Sequence, residues 1–214
     1  MKTYLTPSEV DSICMATHNL RDRSILMMLR DTGVRVSELV SLRLEWLDLP
    51  NRRTFVKSAK VKYLRTCPSC RYKSGRQSKF CPRCGVDITA IDAVPETGVS
   101  RRRIVSFVPQ TAGYLSNYLQ RRGGHSDWVF PSPQDPLKHL TPRMVGYITK
   151  KAAESVGLGG KILDHPDFDM KHGVSPHRFR DAMAIQELRK HPDLEGIRVI
   201  AHQLGHKSTE TTLN

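Results

Sequence analysis

The amino-acid sequence predicts an α+β fold that is mostly α-helical, with a small antiparallel sheet and a cysteine-rich insertion. Three observations support this prediction: helical hydrophobic periodicity over most of the chain, two short stretches of strand-like alternation, and two cysteine pairs between those strands. A length of 214 residues suits one sizeable core with a small satellite, and not two large domains.

Helices are predicted where a capping signal precedes apolar residues at three- and four-residue spacing. A Thr-Pro-Ser-Glu capping box at residues 6–9 begins the first helix. The second runs from about Leu20 to Asp31 before a Thr-Gly break, and the third begins near Val36. Four more are predicted at about 111–122, 141–156, 176–190 and 195–204.

Strand-like alternation of Thr, Phe and Val runs from Arg52 to Lys62, and a similar pattern runs from Arg103 to Val108. The two strands are expected to pair as a hairpin. Between them lies an insertion rich in Lys, Arg, Ser and Gly, which we call the knob and place at residues 67–91. The fold prediction is therefore a helical domain with a small antiparallel sheet and an inserted knob.

The knob carries two Cys-x-x-Cys pairs separated by ten residues: Cys67, Cys70, Cys81 and Cys84. Each pair places two thiolates on one tight turn, and two such turns complete a tetrahedral Zn²⁺ site. Four protein ligands leave no open position, so the zinc is expected to be structural. Two disulfides or free thiols are the alternative. The fifth cysteine, Cys14, is expected to be a small core residue.

The charge balance points to a polyanionic partner. Lys and Arg total 34 against 21 Asp and Glu, which gives a net charge of +13 and a pI of about 9.8. Nucleic acid is the first candidate and an anionic membrane surface the second. The sequence shows neither an export signal nor a membrane span. A cytoplasmic, nucleoid-associated protein that uses no membrane is therefore expected, and reduced thiols agree with that compartment.

Three stretches far apart in sequence hold residues suited to gripping a phosphodiester. In the first, TGVRVSEL at 32–39, Arg35 follows a glycine turn at a helix start, where a guanidinium can fork onto two phosphate oxygens. In the second, SPHRFR at 175–180, His177 and Arg180 share a helical face. The third is LGHKSTETT at 204–212, with His206. Singly, each is a common feature of solvated helix ends.

In this order, the three motifs resemble the catalytic domain of the tyrosine recombinase, or phage integrase, family. The resemblance covers Leu5 to Asn214 apart from the knob, and the knob points to integrases of archaeal viruses or plasmids. It implies the tyrosine-recombinase catalytic-domain fold for residues 1–214. It also implies a catalytic set made of Arg35, His177, Arg180 and His206.

The family's reaction is site-specific DNA recombination. The resemblance implies that a tyrosine phenolate attacks the scissile phosphate and forms a 3′-phosphotyrosine, with no metal needed for catalysis. Two arginines then neutralise the nonbridging oxygens, one histidine accepts the nucleophile's proton, and the other hydrogen-bonds the phosphate. The implied partner is double-stranded DNA, on which family members assemble as homotetramers.

The sequence departs from the family pattern in three places. The family's tyrosine follows the LGH histidine by nine positions, but this chain ends eight after His206 at Asn214, so we expect a shortened chain that cannot cleave DNA. The family's lysine position carries Glu96, and Lys57, Lys60 and Lys62 are unassigned substitutes. The family's N-terminal domain is missing, so the full-length protein is expected to begin earlier.

Further phosphate contacts are expected from the basic run at Arg101, Arg102 and Arg103, and from the basic residues of the knob, namely Arg71, Lys73, Arg76, Lys79 and Arg83. A solvated surface is the alternative for both groups. For the whole chain, a noncatalytic DNA-binding protein derived from a recombinase is the alternative function. A zinc-ribbon transcription factor ranks last, because it explains neither the TGVRVSEL stretch nor the His-Arg pair.

Overall fold

Seven α-helices form in the residues that the computed structural model describes, which are 4–58, 62–96, 101–160, 163–164 and 171–205. They are α1 (Pro7–Met15), α2 (Leu20–Thr32), α3 (Val36–Val40), α4 (Pro109–Arg121), α5 (Pro142–Ser155), α6 (Pro176–Lys190) and α7 (Leu194–Leu204). All seven predicted helices are confirmed. The chain divides into a larger unit, Met1–Val56 with Arg103–Asn214, and a smaller unit, Lys57–Arg102.

The helix ends follow the local signals in the sequence. At α1, the Thr6 backbone N–H donates to Glu9 Oε2 at 2.8 Å and the Glu9 N–H donates to Thr6 Oγ1 at 3.3 Å, which completes the predicted capping box. At the C-terminal end of α2, Gly33 takes a left-handed conformation with φ 56° and ends the helix. The chain then re-enters a helix at α3 after only three residues.

The core of the larger unit is built around α2. Five consecutive residues of α2, Ile25 to Leu29, are fully buried, because α1, α4, α5 and α6 all pack against this helix. Five consecutive residues cover more than one helical turn, so the middle of α2 is surrounded on every side and lies at the centre of its domain. Cys14 of α1 is buried in the same core, and this burial raises the pKa of its thiol to about 12. Cys14 is therefore a core residue, as predicted.

The strands form three small sheets. The first, in the order β1-β2-β6, contains β1 (Leu47–Asp48), β2 (Arg53–Ser58) and β6 (Arg101–Ser106), so the two predicted strands are neighbours. The second, in the order β4-β3-β5, contains β3 (Lys62–Thr66), β4 (Lys73–Gly75) and β5 (Val94–Glu96). The third pairs β7 (Leu163–Asp164) with β8 (Lys171–His172). Of the first predicted strand, the structure describes β2 up to Ser58 and assigns Lys62 to β3, and 59–61 lie outside the described residues.

The smaller unit contains the second sheet and the predicted knob between its strands. In this sheet, β3 pairs antiparallel with both neighbours, Arg65 opposite Ser74 and Lys62 opposite Glu96. Among the described residues of both units, no helix combines the length and the apolar character that crossing a bilayer would require.

Asp31 joins α2 to the start of α4. Its Oδ2 accepts the Val108 backbone N–H at 3.0 Å and the buried Thr111 hydroxyl at 2.6 Å, while Oδ1 accepts Arg30 Nε at 2.7 Å. Val108 has no side-chain cap of its own, so Asp31 supplies the acceptor that the first turn of α4 needs.

Asp31→Ala is expected to lower the free energy of unfolding by about 1–3 kcal/mol, because it leaves a buried hydroxyl and a helix N–H without an acceptor. Urea denaturation followed by circular dichroism measures the change. Asp127→Ala is the matched control, since Asp127 is exposed and pairs only with Arg43. Equal stability of the two variants would contradict the capping role of Asp31.

Candidate active site and metal-binding cluster

Arg35 stands at the N-terminal end of α3, immediately after the turn that ends α2. Its backbone is extended, and its backbone N–H donates to Glu38 Oε2 at 2.9 Å. The guanidinium contacts the same carboxylate through Nη1 at 3.2 Å, and its side chain remains 35% exposed. Glu38 thus holds the backbone of Arg35 in place while the guanidinium stays accessible to a ligand.

Arg180 lies in the first turns of α6 and is only 5% exposed. Its Nη1 donates to the Gly33 carbonyl and its Nη2 to the Leu204 carbonyl, both at 2.5 Å. The side chain therefore ties together the α2–α3 turn, α6 and the end of α7. These two bonds use two of the five guanidinium N–H donors. Burial, followed by the nearby charge of Arg35, lowers the pKa of Arg180 to about 10, so the group stays protonated at neutral pH.

Gly33 leaves room for the side chains of Met183 and Leu204 against the turn. A Cβ at this position would lie 2.6 Å from Met183 Cε and 2.9 Å from Leu204 Cδ2, and the left-handed φ of 56° is itself unfavourable for other residues. The glycine of the first motif therefore serves the packing of α6 and α7 against the turn that carries Arg35.

Glu38 is not among the predicted site residues, yet it lies at the centre of the site. Its carboxylate is buried and accepts Arg103 Nη1 at 2.9 Å and Arg103 Nη2 at 2.8 Å, in addition to Arg35. Burial raises the pKa of Glu38, but the bonds and charge of Arg103 and the Arg35 N–H outweigh burial and hold the pKa below its ordinary value. Glu38 is therefore ionised at neutral pH.

The expectation that Arg103 is a surface DNA contact is corrected by the structure. Arg103 is buried, and besides Glu38 its Nε donates to the Gln203 carbonyl at 2.7 Å. Strand alternation turns its side chain inward with Val105 and Phe107, which are also buried. Its neighbour Arg102 is exposed, and the side chain of Arg101 lies outside what the structure describes.

The structure describes one of the two predicted catalytic histidines, His177. His177 is exposed in the first turn of α6, one helical turn before Arg180, with Nε2 3.7 Å from Asp181 Oδ1. His206 lies outside the described residues, as does Lys60 among the lysine candidates. Lys57 is exposed in β2, and the register places Lys62 opposite Glu96.

The charges of the cluster do not balance. Three guanidinium groups, from Arg35, Arg103 and Arg180, are close enough to influence one another. Two carboxylates, Glu38 and Asp181, supply negative charge near them. Both terminal nitrogens of Arg103 donate to the Glu38 carboxylate, while those of Arg180 donate to neutral carbonyls. The excess positive charge and the accessible guanidinium of Arg35 suit an anion with several oxygens, such as a phosphodiester.

The four cysteines of the knob form a separate cluster in the smaller unit. All four Sγ atoms lie within 4.8 Å of one another, and the Cys67–Cys84 and Cys70–Cys81 pairs are each 3.5 Å apart. Tetrahedral coordination with zinc–sulfur bonds of about 2.3 Å places sulfurs about 3.8 Å apart. The four thiols can therefore hold one metal ion.

The two cysteine turns share one backbone pattern. In each turn, the backbone N–H of the first cysteine donates to the carbonyl of the residue five positions later. The carbonyl of that cysteine in turn accepts the N–H of the residue four positions later. Both turns need a left-handed residue directly after the second cysteine, Arg71 with φ 57° and Gly85 with φ 74°. The buried apolar cluster beside them consists of Cys67, Cys81 and Ile88, so the module has little core besides the thiols themselves.

Known tyrosine recombinases are similar to this chain in sequence. The phage integrase family model matches residues 3–73. Tyrosine recombinase XerA of Pyrococcus horikoshii is 26% identical over 209 residues, which cover 97% of this chain and 54% of that protein. Tyrosine recombinase XerC of Roseiflexus sp. is 28% identical over 214 residues, which cover 97% of this chain and 53% of that protein. The chain spans about half the length of these relatives.

Solved structures share the fold. The crystal structure of XerA recombinase superposes with a TM-score of 0.69 at 24% identity, over all of this chain and 58% of the other. The structure of XerH site-specific recombinase bound to its difH substrate gives a TM-score of 0.64 at 15% identity, over all of this chain and 49% of the other. The fold is therefore that of a tyrosine recombinase catalytic domain. The predicted resemblance to the phage integrase family is confirmed by the family model and by the XerA and XerC relatives.

Proposed function

We propose that this chain is the catalytic domain of a site-specific recombinase that cuts and rejoins DNA strands through a 3′-phosphotyrosine. One observation carries the proposal: Arg35 and Arg180 meet at the Gly33 turn, in a cluster with more guanidinium groups than carboxylates. Such a cluster requires an anion, and the phosphodiester of DNA is the anion that the family resemblance and the overall charge of +13 favour.

In the proposed reaction, Arg35 and Arg180 neutralise the charge that builds on the nonbridging oxygens of the scissile phosphate. A tyrosine oxygen forms a bond to phosphorus while the bond to the DNA 5′-oxygen breaks. His177 accepts the tyrosine proton, His206 hydrogen-bonds the phosphate, and the departing 5′-oxygen takes up a proton from a donor that is unassigned. No metal takes part in this step. The family pattern places the tyrosine directly after Asn214.

The partner in this proposal is double-stranded DNA, on which the protein would assemble as a homotetramer inside the cell. The XerH neighbour with a DNA substrate supports the choice of DNA. Arg101 and Arg102 are proposed to add phosphate contacts, whereas Arg103 is occupied by Glu38. The domain limits proposed are 1–214 for the catalytic domain and 67–91 for the inserted knob.

A nicked suicide duplex tests the activity, because loss of the short 5′ fragment traps the covalent intermediate. The full gene product is expected to give a protein–DNA band that survives denaturation. Arg35→Ala should abolish that band, whereas Lys150→Ala, an exposed change on α5, should leave it. DNA binding without any covalent band in the wild type would instead establish the noncatalytic DNA-binding protein.

We further propose that the knob's four cysteines bind one structural Zn²⁺. The ion's role is to fold a segment whose apolar cluster is too small to hold it together, and it supplies no chemistry at the arginine cluster.

Elemental analysis of the purified protein is expected to find about one zinc per chain. Cys67→Ser should lower the zinc content to near zero and expose the knob to trypsin, because a tetrahedral site that loses a thiolate binds zinc far more weakly. Cys14→Ala is the matched cysteine control and should retain the metal, since Cys14 lies in the helical core. A metal-free protein with a protease-resistant knob would contradict the assignment.

A further inference from the structure

The positive charge of the protein is concentrated in the smaller unit. Lys57–Arg102 contains eleven Lys and Arg against three Asp and Glu, which amounts to eight of the chain's thirteen net charges. Zinc on four thiolates would subtract two, and the unit would remain strongly basic. Four of its cations, Arg71, Arg76, Lys79 and Arg83, are exposed in the structure. This unit is therefore a polyanion-binding surface by charge alone.

The same unit exposes every aromatic ring that it has. Tyr63, Tyr72 and Phe80 are 46%, 43% and 59% exposed. The larger unit buries Phe130 and Phe179 in its core, and it also exposes Phe55 and Tyr147. In the smaller unit, the buried cluster consists of two cysteines and Ile88 although three rings were available to enlarge it. Because these rings are exposed although the core is small, we look for a ligand that stacks on them.

One exposed ring contacts a cation, and the other two are next to cations in the sequence. The Arg76 guanidinium stands 5.8 Å from the Tyr63 ring centroid. Tyr72 follows Arg71 in sequence, and Phe80 follows Lys79. Rings for stacking, alternating with cations for phosphates, are the combination by which proteins bind nucleic-acid strands with accessible base faces.

We propose that the smaller unit binds single-stranded DNA through its exposed rings, Tyr63, Tyr72 and Phe80, and its exposed cations, separately from the arginine cluster of the larger unit. Duplex DNA hides its base faces, so it would satisfy the cations but leave the rings without a partner. The biological setting rests on the proposed function: a recombinase that breaks strands and exchanges them exposes unpaired bases. The binding itself does not depend on cleavage.

Fluorescence anisotropy with a labelled dT20 strand and a 20-base-pair duplex tests the proposal on the complete zinc-loaded chain. Tyr72→Ala and Phe80→Ala are each expected to weaken dT20 binding about five-fold or more, and duplex binding less than two-fold. Leu137→Ala, which removes a still more exposed apolar side chain from the larger unit, should change neither. Zinc content verifies that each variant has kept its fold.

A second variant tests the cations without touching a ring. Arg76→Gln with Lys79→Gln should reduce the slope of log affinity against log salt for dT20 by about 1.4, because each phosphate contact on a single strand contributes about 0.7. Lys138→Gln with Lys150→Gln is the control, since both lysines are exposed in the larger unit.

The results separate this proposal from the proposed function. Arg35→Ala should bind dT20 like the wild type while losing the covalent band, and Phe80→Ala should retain the band on a preformed duplex. Wild-type dT20 affinity in both ring variants, or equal losses on dT20 and duplex, would overturn the proposal. An unchanged salt slope in the Arg76 and Lys79 double variant would overturn it as well.

Discussion

Glu38→Ala should destabilise the larger unit by about 3–5 kcal/mol, because it leaves the buried guanidinium of Arg103 without a counter-charge. The same change removes the acceptor of the Arg35 backbone N–H at the start of α3. Breaking one side of a buried ion pair costs more than the pair contributes to stability, since the remaining charge has lost both its solvent and its partner.

Guanidinium chloride denaturation measures this effect. The slope of the free energy of unfolding against denaturant concentration should be the same for wild type and Glu38→Ala if both unfold in one step. Glu154→Ala is the matched control, because Glu154 also accepts from basic side chains one turn away but does so at the surface. The control should change stability by less than about 0.5 kcal/mol. If Glu38→Ala is as stable as the control, Glu38 does not hold the cluster together.

The same carboxylate predicts a pH dependence. Burial acts to raise the pKa of Glu38, but Arg103 and the Arg35 N–H hold it below the ordinary value of 4.5. A carboxyl whose folded pKa is lowered contributes stability above its unfolded pKa and loses that contribution as the pH falls through the folded pKa. Wild type should therefore lose stability below about pH 4.5, and Glu38→Gln should show a shallower loss. Parallel pH profiles would contradict this linkage.

The helices could be predicted from sequence because their signals are local. A capping box, a glycine at a helix end and apolar residues on one face act within a few residues of where they stand, so α1 and α2 follow from the sequence alone. The sheet of the smaller unit could not be foreseen in this way. Its strands pair across the cysteine turns, and β5 joins β3 from about thirty residues away, so the register depends on how those turns close.

The candidate site was predictable in part for a similar reason. Arg35 and Arg180 belong to recognisable motifs, but Glu38 and Arg103 meet from 65 residues apart. Two signals for this pair were nevertheless present. Glu38 is a charge on a short helix whose other residues are mainly apolar, and Arg103 has the same strand parity as Val105 and Phe107. Two charges that point into one core require each other, and only the tertiary fold shows that they meet.

Arg180→Lys should lower the rate of covalent-intermediate formation by about 10²–10³-fold while the positive charge is retained. A guanidinium spans the Gly33 and Leu204 carbonyls and keeps further N–H donors for a phosphate, whereas an ammonium is a compact point charge without that fork. Single-turnover cleavage of the suicide duplex measures the rate, and anisotropy measures duplex affinity. Arg189→Lys, at the other end of α6, is the matched control and should cleave normally.

Gly33→Ala separates the position of Arg180 from its chemistry. The added methyl meets the ends of the Met183 and Leu204 side chains, and alanine is strained at the left-handed φ of 56°. The turn whose carbonyl anchors Arg180 is therefore expected to shift although every charge of the cluster remains. If the guanidinium acts mainly on the transition state, Arg180→Lys should lower the cleavage rate with little change in duplex affinity. Gly33→Ala should lower the rate together with thermal stability. An Arg180→Lys variant that cleaves at the wild-type rate would exclude a required contact between the Arg180 guanidinium and the phosphate. Arg180 would then be a packing residue only.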